Sequence, residues 1–216
     1  MAGVITERDI RELEQYPNAT KDEKVRLQVL ASVGIGDSAE QDAQMLVEAG
    51  ADGIIIDVLH GATQGSIELT RILRRMLPKK VPIIVGNVAT RTQTRKLIDA
   101  GANVVKVGWC PGGFCTTRIV TGTSAAQLTA VMECSAEAYG TGATIIADGG
   151  ITKPADAVLA FYGGAAAIMI GTMFVGTEES PGPLYFDETD AGYKIGRGSA
   201  SSSAAEDFAR ASGKDE

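Results

Sequence analysis

Cys115 sits in a glycine-rich stretch, Trp109–Thr123, beside Thr116, Thr117 and Arg118. A nearby guanidinium and loop amides favour the thiolate, so this cysteine is a candidate nucleophile. The competing reading is a small buried apolar side chain, the usual state of a reduced cysteine. Cys110, between Trp109 and Pro111, and Cys134, beside Met132, read as structural. Two glycine-rich turns, Asp148-Gly149-Gly150 and Gly171-Thr172, close apolar runs. Glycines that end a strand before a helix leave backbone N–H groups open to a phosphate, although they also serve simply for tight turning. Asp148 would repel a phosphate and suits a ribose diol or another donor. Asp57 with His60, and Asn87 with Thr90, end two more runs. Any one of them reads as a cap or turn residue; together they favour a polar, hydroxyl-rich ligand. His60 is a candidate base. As the single histidine of the chain, it rules out a multi-histidine metal site.

These residues need strands to hold them. Six short β-branched runs recur: Leu27–Gly34, Gly53–Asp57, Val81–Asn87, Asn103–Gly108, Thr144–Gly149 and Ala166–Gly171. Continuous apolar runs this short fit strands buried on both faces, as in a parallel sheet. Helical spacing fills the gaps. Ser38–Glu48 places Ala39, Ala43, Leu46 and Val47 on one stripe, with Ser38 as cap. Ile67–Leu77 aligns Ile67, Ile72, Leu73 and Met76, and Thr90–Ala100, Gln127–Tyr139 and Pro154–Tyr162 complete the series. The β-α alternation implies right-handed crossovers. Ala-Gly-Ala precedes two of the strands (Ala49–Ala51 and Ala100–Ala102), the mark of a (β/α) barrel repeat. A doubly wound sheet is the alternative, weakened by the lack of a G-x-G-x-x-G after the first strand. The long stretch from Gly108 to Gln127 falls on the barrel face where active sites form.

Composition narrows the classes. The chain has 216 residues and a net charge of −7, which argues against non-specific nucleic-acid binding. No stretch approaches the ~18 apolar residues of a membrane span. The N-terminus shows no apolar signal core, and three cysteines match no zinc pattern. A cytoplasmic protein with reduced thiols is expected. From residue 199 the sequence turns to serine and alanine, which reads as a mobile loop or frayed end.

The chain resembles the IMP dehydrogenase / GMP reductase family along nearly its whole length. The resemblance rests on Tyr16–Leu27 (YPNATKDEKVRL), Asp57–Gly61 (DVLHG), Gly86–Thr90 (GNVAT), Val105–Gly108 (VKVG), Pro111–Gly122 (PGGFCTTRIVTG), Ile146–Ile151 (IADGGI) and Gly176–Gly182 (GTEESPG). Val4–Ile10 (VITERDI) and the CTTRIV loop are closer to the bacterial type of dehydrogenase. The resemblance implies that Cys115 attacks C2 of IMP, NAD takes the hydride, and water releases XMP. The reductase alternative converts GMP with NADPH and releases ammonia. A third reading, from another class, is an inactive nucleotide-binding fragment. By resemblance Thr117 is the catalytic-loop threonine and Asp148 binds the ribose. Gly149, Gly150, Gly171 and Thr172 fall in the phosphate cradle, with Gly113 where the family carries a serine. Asp57, His60, Asn87 and Glu179 would face the nicotinamide. Backbone carbonyls of Cys110, Gly112 and Cys115 would hold potassium. A homotetramer is implied as well.

The chain departs from the family at Cys110, which replaces a glycine, and at Lys194–Ser199, which lacks the usual tyrosine. No Arg-Tyr pair of the catalytic flap follows. The sequence accounts for about six of the eight βα units of a closed barrel. The expected organisation is therefore a regulatory-module exit over 1–26, a partial TIM barrel over 27–198, and the start of a flap over 199–216.

Overall fold

The computed structural model describes residues 11, 16–112, 117–196, 198, 206 and 210. Its centre is a parallel sheet of six strands lying side by side in chain order. These are β1 (Leu30–Val33), β2 (Gly53–Asp57), β3 (Ile83–Val88), β4 (Val104–Val107), β5 (Thr144–Asp148) and β6 (Ala167–Met169). Between them run α1 (Ala39–Glu48), α2 (Gln64–Met76), α3 (Arg91–Ala100), the short α4 (Thr117–Thr121), α5 (Gln127–Ala138) and α6 (Pro154–Tyr162). Strand order equal to chain order is the winding of a (β/α) barrel, here a half-barrel with β1 and β6 at its edges. The doubly wound alternative, which needs an order reversal, is thereby excluded.

The sheet sorts side chains by alternation. Ile54, Ile56, Ile83, Val85, Val105, Val107, Ile145 and Ala147 pack outward against Leu69, Leu73, Leu97 and Val131 of the helices. Ile55, Ile84 and Ile146 face the other side with Val104 and Met169. One residue pair further along the strands, that inner face turns polar.

Helix starts and stripes depart from expectation in two places. Ser38 occupies the position before α1, but its hydroxyl bonds Asp42 Oδ2 at 2.8 Å and caps no backbone N–H. Its backbone is already helical there, which turns the hydroxyl along the helix flank. Thr63 and Thr90 do cap α2 and α3, accepting from Ser66 N–H and Gln93 N–H. In α2 the buried stripe is Ser66, Ile67, Leu69, Thr70 and Leu73, and the chain leaves the helix on buried Leu77, not on Met76, which is exposed. Leaving α2 at Leu77 turns Met76 outward.

Two features lie beyond the sequence reading. Residues 16–28 fold into a small turn with a Lys21–Leu27 bridge, held by Asp22, which accepts from Lys24 N–H, Arg26 N–H and Arg26 Nε. After β6, a hairpin pairs β7 (Tyr185–Phe186) with β8 (Gly192–Tyr193), its two tyrosines stacked at 5.7 Å. The Asp187 side chain organises its turn by accepting from Thr189 and Ala191 N–H groups. Of the expected loop or frayed end over 199–216, all but Glu206 and Arg210 lies outside the described residues.

Candidate active site at the C-terminal rim of the sheet

Asp57, Lys106 and Asp148 end up in one charged cluster on the inner face. The pairing aligns Asp57 with Gly86 and Gly86 with Lys106, so a lysine of β4 looks across a glycine of β3 to an aspartate of β2. Lys106 Nζ lies 3.0 Å from Asp57 Oδ1 and 2.6 Å from Asp148 Oδ2. Its side chain is only 3% exposed, against 47% for Asp57 and 21% for Asp148. A lysine this buried is rare unless its charge is met, and here two carboxylates meet it. Asn87 Nδ2 donates to the same Asp148 Oδ2 at 2.9 Å. Both side-chain donors therefore fall on one carboxylate oxygen, Oδ2. Asn87 Oδ1 is buried and has no partner among the described residues.

The rim backbone is tied together around this cluster. Val58 N–H donates to Gly86 O, Asn87 N–H to Val58 O, and Gly61 N–H to Asn87 O. Gln127, at the start of α5, donates from Nε2 to the carbonyls of Val107 and Asp148, joining β4 to β5. A side chain at Gly108 has no room: a Cβ there would stand 2.3 Å from Asp148 O.

His60 adopts a defined role. Gln93 Oε1 accepts from Ala89 N–H, which turns Gln93 Nε2 toward His60 Nε2 at 3.3 Å. An amide nitrogen donates, so His60 Nε2 is the acceptor and the ring proton sits on Nδ1. That Nδ1 is buried without a partner among the described residues. The ring also meets Trp109 edge-on at 5.6 Å. His60 is thus held at Nε2 by Gln93 and on one edge by Trp109.

The base of the cysteine stretch packs on the Gly149-Gly150 turn. Gly149 and Gly150 both take left-handed backbone, φ 82° and 73°. A Cβ on either would come within 3.1 and 3.2 Å of Pro111. The stretch is closed at its foot, where Ala125 N–H donates to Trp109 O. Cys110 is buried and itself left-handed, φ 53°, at the position where the family carries glycine. Gly113 and Cys115 lie outside the described residues, and Thr117 opens α4. Gly171 and Thr172 begin a short 3-10 turn after β6. They stand beside the Gly149 turn, because Gly149 N–H donates to Met169 O. Glu179 lines a cleft of about 470 Å³ with Gly171, Phe174 and Ser180, and that cleft includes none of Asp57, His60 and Asn87.

Sequence reasoning passed over Lys106, Gln93 and Gln127. Lys106 had a signal, a lone charge inside the apolar run Asn103–Gly108. The two glutamines had none. Cys134, expected to be structural, is buried, and burial pushes its thiol above the ordinary range despite a hydrogen bond with Thr94. No helix among the described residues is long and apolar enough to cross a membrane.

A charged rim on a half-barrel, with a glycine turn packed on the foot of a cysteine stretch, places the candidate site on a (β/α) scaffold. A sequence profile of the IMP dehydrogenase / GMP reductase domain matches residues 5–215, and the chain belongs to that family. It is 43% identical over 206 residues to the inosine-5'-monophosphate dehydrogenase of Staphylococcus aureus, in strains Mu50 and USA300 alike. That alignment covers 95% of this chain and 42% of the relative. In structure it matches a GMP reductase from Trypanosoma brucei, solved with guanosine 5'-monophosphate, at a TM-score of 0.87 and 36% identity. The match covers 95% of this chain and 43% of that one. The chain therefore spans less than half the length of the relatives it matches.

Proposed function

We propose that this chain carries the nucleotide-binding and thiol-bearing part of an IMP dehydrogenase, acting on a purine nucleoside monophosphate at C2. The observation that carries the reading is Asp148: its Oδ2 is saturated by Lys106 and Asn87. Asp148 directly precedes two left-handed glycines, which pack on Pro111 at the foot of the cysteine stretch. A ribose diol fits the carboxylate, and a phosphate fits the N–H groups of Gly150, Gly171 and Thr172 beside Gly149, whose own N–H is taken by Met169 O. Cys115 lies outside the described residues, and its role as the nucleophile rests on resemblance to the family.

In this mechanism the Cys115 thiolate forms a bond to purine C2, and the hydride leaves C2. NAD, when bound, supplies the hydride acceptor. Water then adds to C2, a proton is lost to solvent, and the C2–sulfur bond breaks to return the thiolate and release XMP. Cysteine serves because it is both a strong nucleophile and a good leaving group. Asn87 fits the cofactor on an observation: a buried oxygen without a protein partner suits a carboxamide N–H donor. Asp57, His60 and Glu179 are assigned to the same side by resemblance. Carbonyls of Cys110, Gly112 and Cys115 would supply oxygens to potassium, with Thr117 in the catalytic loop and Gly113 in the phosphate stretch. A homotetramer in the cytoplasm is part of the same reading.

GMP reduction with NADPH is the second reading, supported by the structural match to a GMP reductase. Nucleotide binding without turnover is the third, suggested by the departures from the family at Cys110 and Lys194–Ser199. The test is incubation with IMP plus NAD and, separately, GMP plus NADPH, following the absorbance of the reduced cofactor. NADH formation with IMP, abolished in Cys115→Ala, is the expected result. Consumption of NADPH with GMP alone establishes the reductase. Silence in both, with IMP still bound, establishes the third reading.

A further inference from the structure

We propose that Lys106 is a positioning residue that joins the two halves of the site, holding Asp148 for the ribose and locking it to Asp57 on the cofactor side. The inference rests on the ribose role of Asp148 given above. Geometry comes first. One ammonium bridges carboxylates from β2 and β5, at 3.0 and 2.6 Å, while itself belonging to β4. The bridge crosses β3 only because residue 86 is glycine. A Cβ there would stand 2.5 Å from both Lys106 Cβ and Lys106 O.

A methionine would fill the same space on this face, which is lined by Ile55, Ile84 and Ile146, without any charge to desolvate. Replacing buried ion pairs by well-packed apolar groups is often neutral or stabilising. Packing alone therefore does not call for a lysine here. What only a cation does is hold two carboxylates at one centre. Without it, Asp57 and Asp148 repel each other, and Asp148 keeps a single side-chain donor, Asn87, on Oδ2.

A ligand on Asp148 should consequently be felt at Asp57, which touches no part of the nucleoside monophosphate in the proposed mode. The experiment uses the full chain, its Lys106→Met, Lys106→Arg and Asp57→Asn variants, and carbon-13 detection of the aspartate carboxyl groups. In unliganded protein, Asp57→Asn is expected to move the Asp148 carboxyl resonance when Lys106 is present and to leave it in place in the Lys106→Met background. An Asp148 signal indifferent to Asp57→Asn with Lys106 present overturns the proposal, whatever the chain binds. With IMP added, the Asp57 resonance is expected to shift in the unaltered protein and not in Lys106→Met. IMP affinity should fall about tenfold or more in Lys106→Met, as for a lost charge-assisted hydrogen bond, at a retained melting transition. Lys106→Arg, which keeps the charge, should recover most of that loss. Equal affinity in Lys106→Met and the unaltered chain also overturns the proposal. Failure of IMP and GMP to bind the unaltered protein defeats the proposed function instead, and the unliganded measurement still decides the role of Lys106.

Discussion

Two lysines anchor the rim, Lys106 in the middle of the sheet and Lys194 beyond its last strand, and their partners differ. Lys106 is buried and meets two carboxylates carried by strands whose register is set along the sheet. Lys194 is half-buried and donates to main-chain carbonyls of Thr177 and Ser180, both at 2.7 Å, with Glu178 at 3.3 Å. It ties the chain after the β7–β8 hairpin to the turn that carries Glu179. The central lysine thus depends on the surrounding fold for its partners, and fixes side chains of one site. The peripheral one makes its own local order out of backbone oxygens. Electrostatic contacts gain weight with burial, so the first region should be stiff and intolerant, the second adjustable.

The comparison breaks most readily at Gly108. A Cβ there would lie 2.3 Å from the Asp148 carbonyl, so Gly108→Ala should cost about 3 kcal/mol of stability, the upper range of overpacking. Chemical denaturation measures it, and a loss well under 1 kcal/mol would show that the central rim yields. Smaller is the effect at the start of α3. Thr90→Ala removes the cap on Gln93 N–H and should cost about 1 kcal/mol, with the backbone of Gln93, and hence His60, losing definition in amide exchange. At Lys194 the expectation reverses in kind. Lys194→Met should change global stability by less than about 1 kcal/mol, yet speed proteolytic cleavage between Thr177 and Tyr193. Unchanged cleavage would mean the hairpin is held by its own contacts.

The smallest effect concerns pH. The Asp156 carboxyl accepts from Thr152 N–H, Thr152 Oγ1 and Lys153 N–H ahead of α6. The Thr152 backbone N–H is the chief cause that holds it below the ordinary aspartate range. A depressed value in the folded state contributes stability in full above the ordinary value of about 3.9 and loses it as pH falls through the lower folded one. The first turn of α6 should therefore fray below about pH 4, seen in the amide resonances of Thr152 and Lys153, and Asp156→Asn should remove that acid step.

Legibility in the sequence followed burial. Gly53–Asp57 and Pro154–Tyr162 fall where the pattern predicts them, because a doubly buried strand must be apolar throughout and a proline suits a first helical turn. The hairpin was illegible, since strands of two residues carry no period. Met76 was misassigned because helical spacing alone cannot tell where a helix leaves the core. Within the site, Asp57, Asn87 and Asp148 were readable as strand-end polar groups. Their joining through Lys106 was not, although its lone charge among valines was in plain view.

By itself the sequence determined which residues end strands, which turns are glycine-rich, and which cysteine stands in the stretch shared with the family. Those are local properties of alternation, backbone freedom and side-chain chemistry. Only the tertiary structure decided that aspartates from β2 and β5 share one ammonium, that Gln93 meets the His60 ring, and that Cys110 sits in left-handed backbone. Each depends on register between strands or on hydrogen bonds between rim loops, and contacts across a sheet are set by which strands pair, a relation that no single stretch of chain contains.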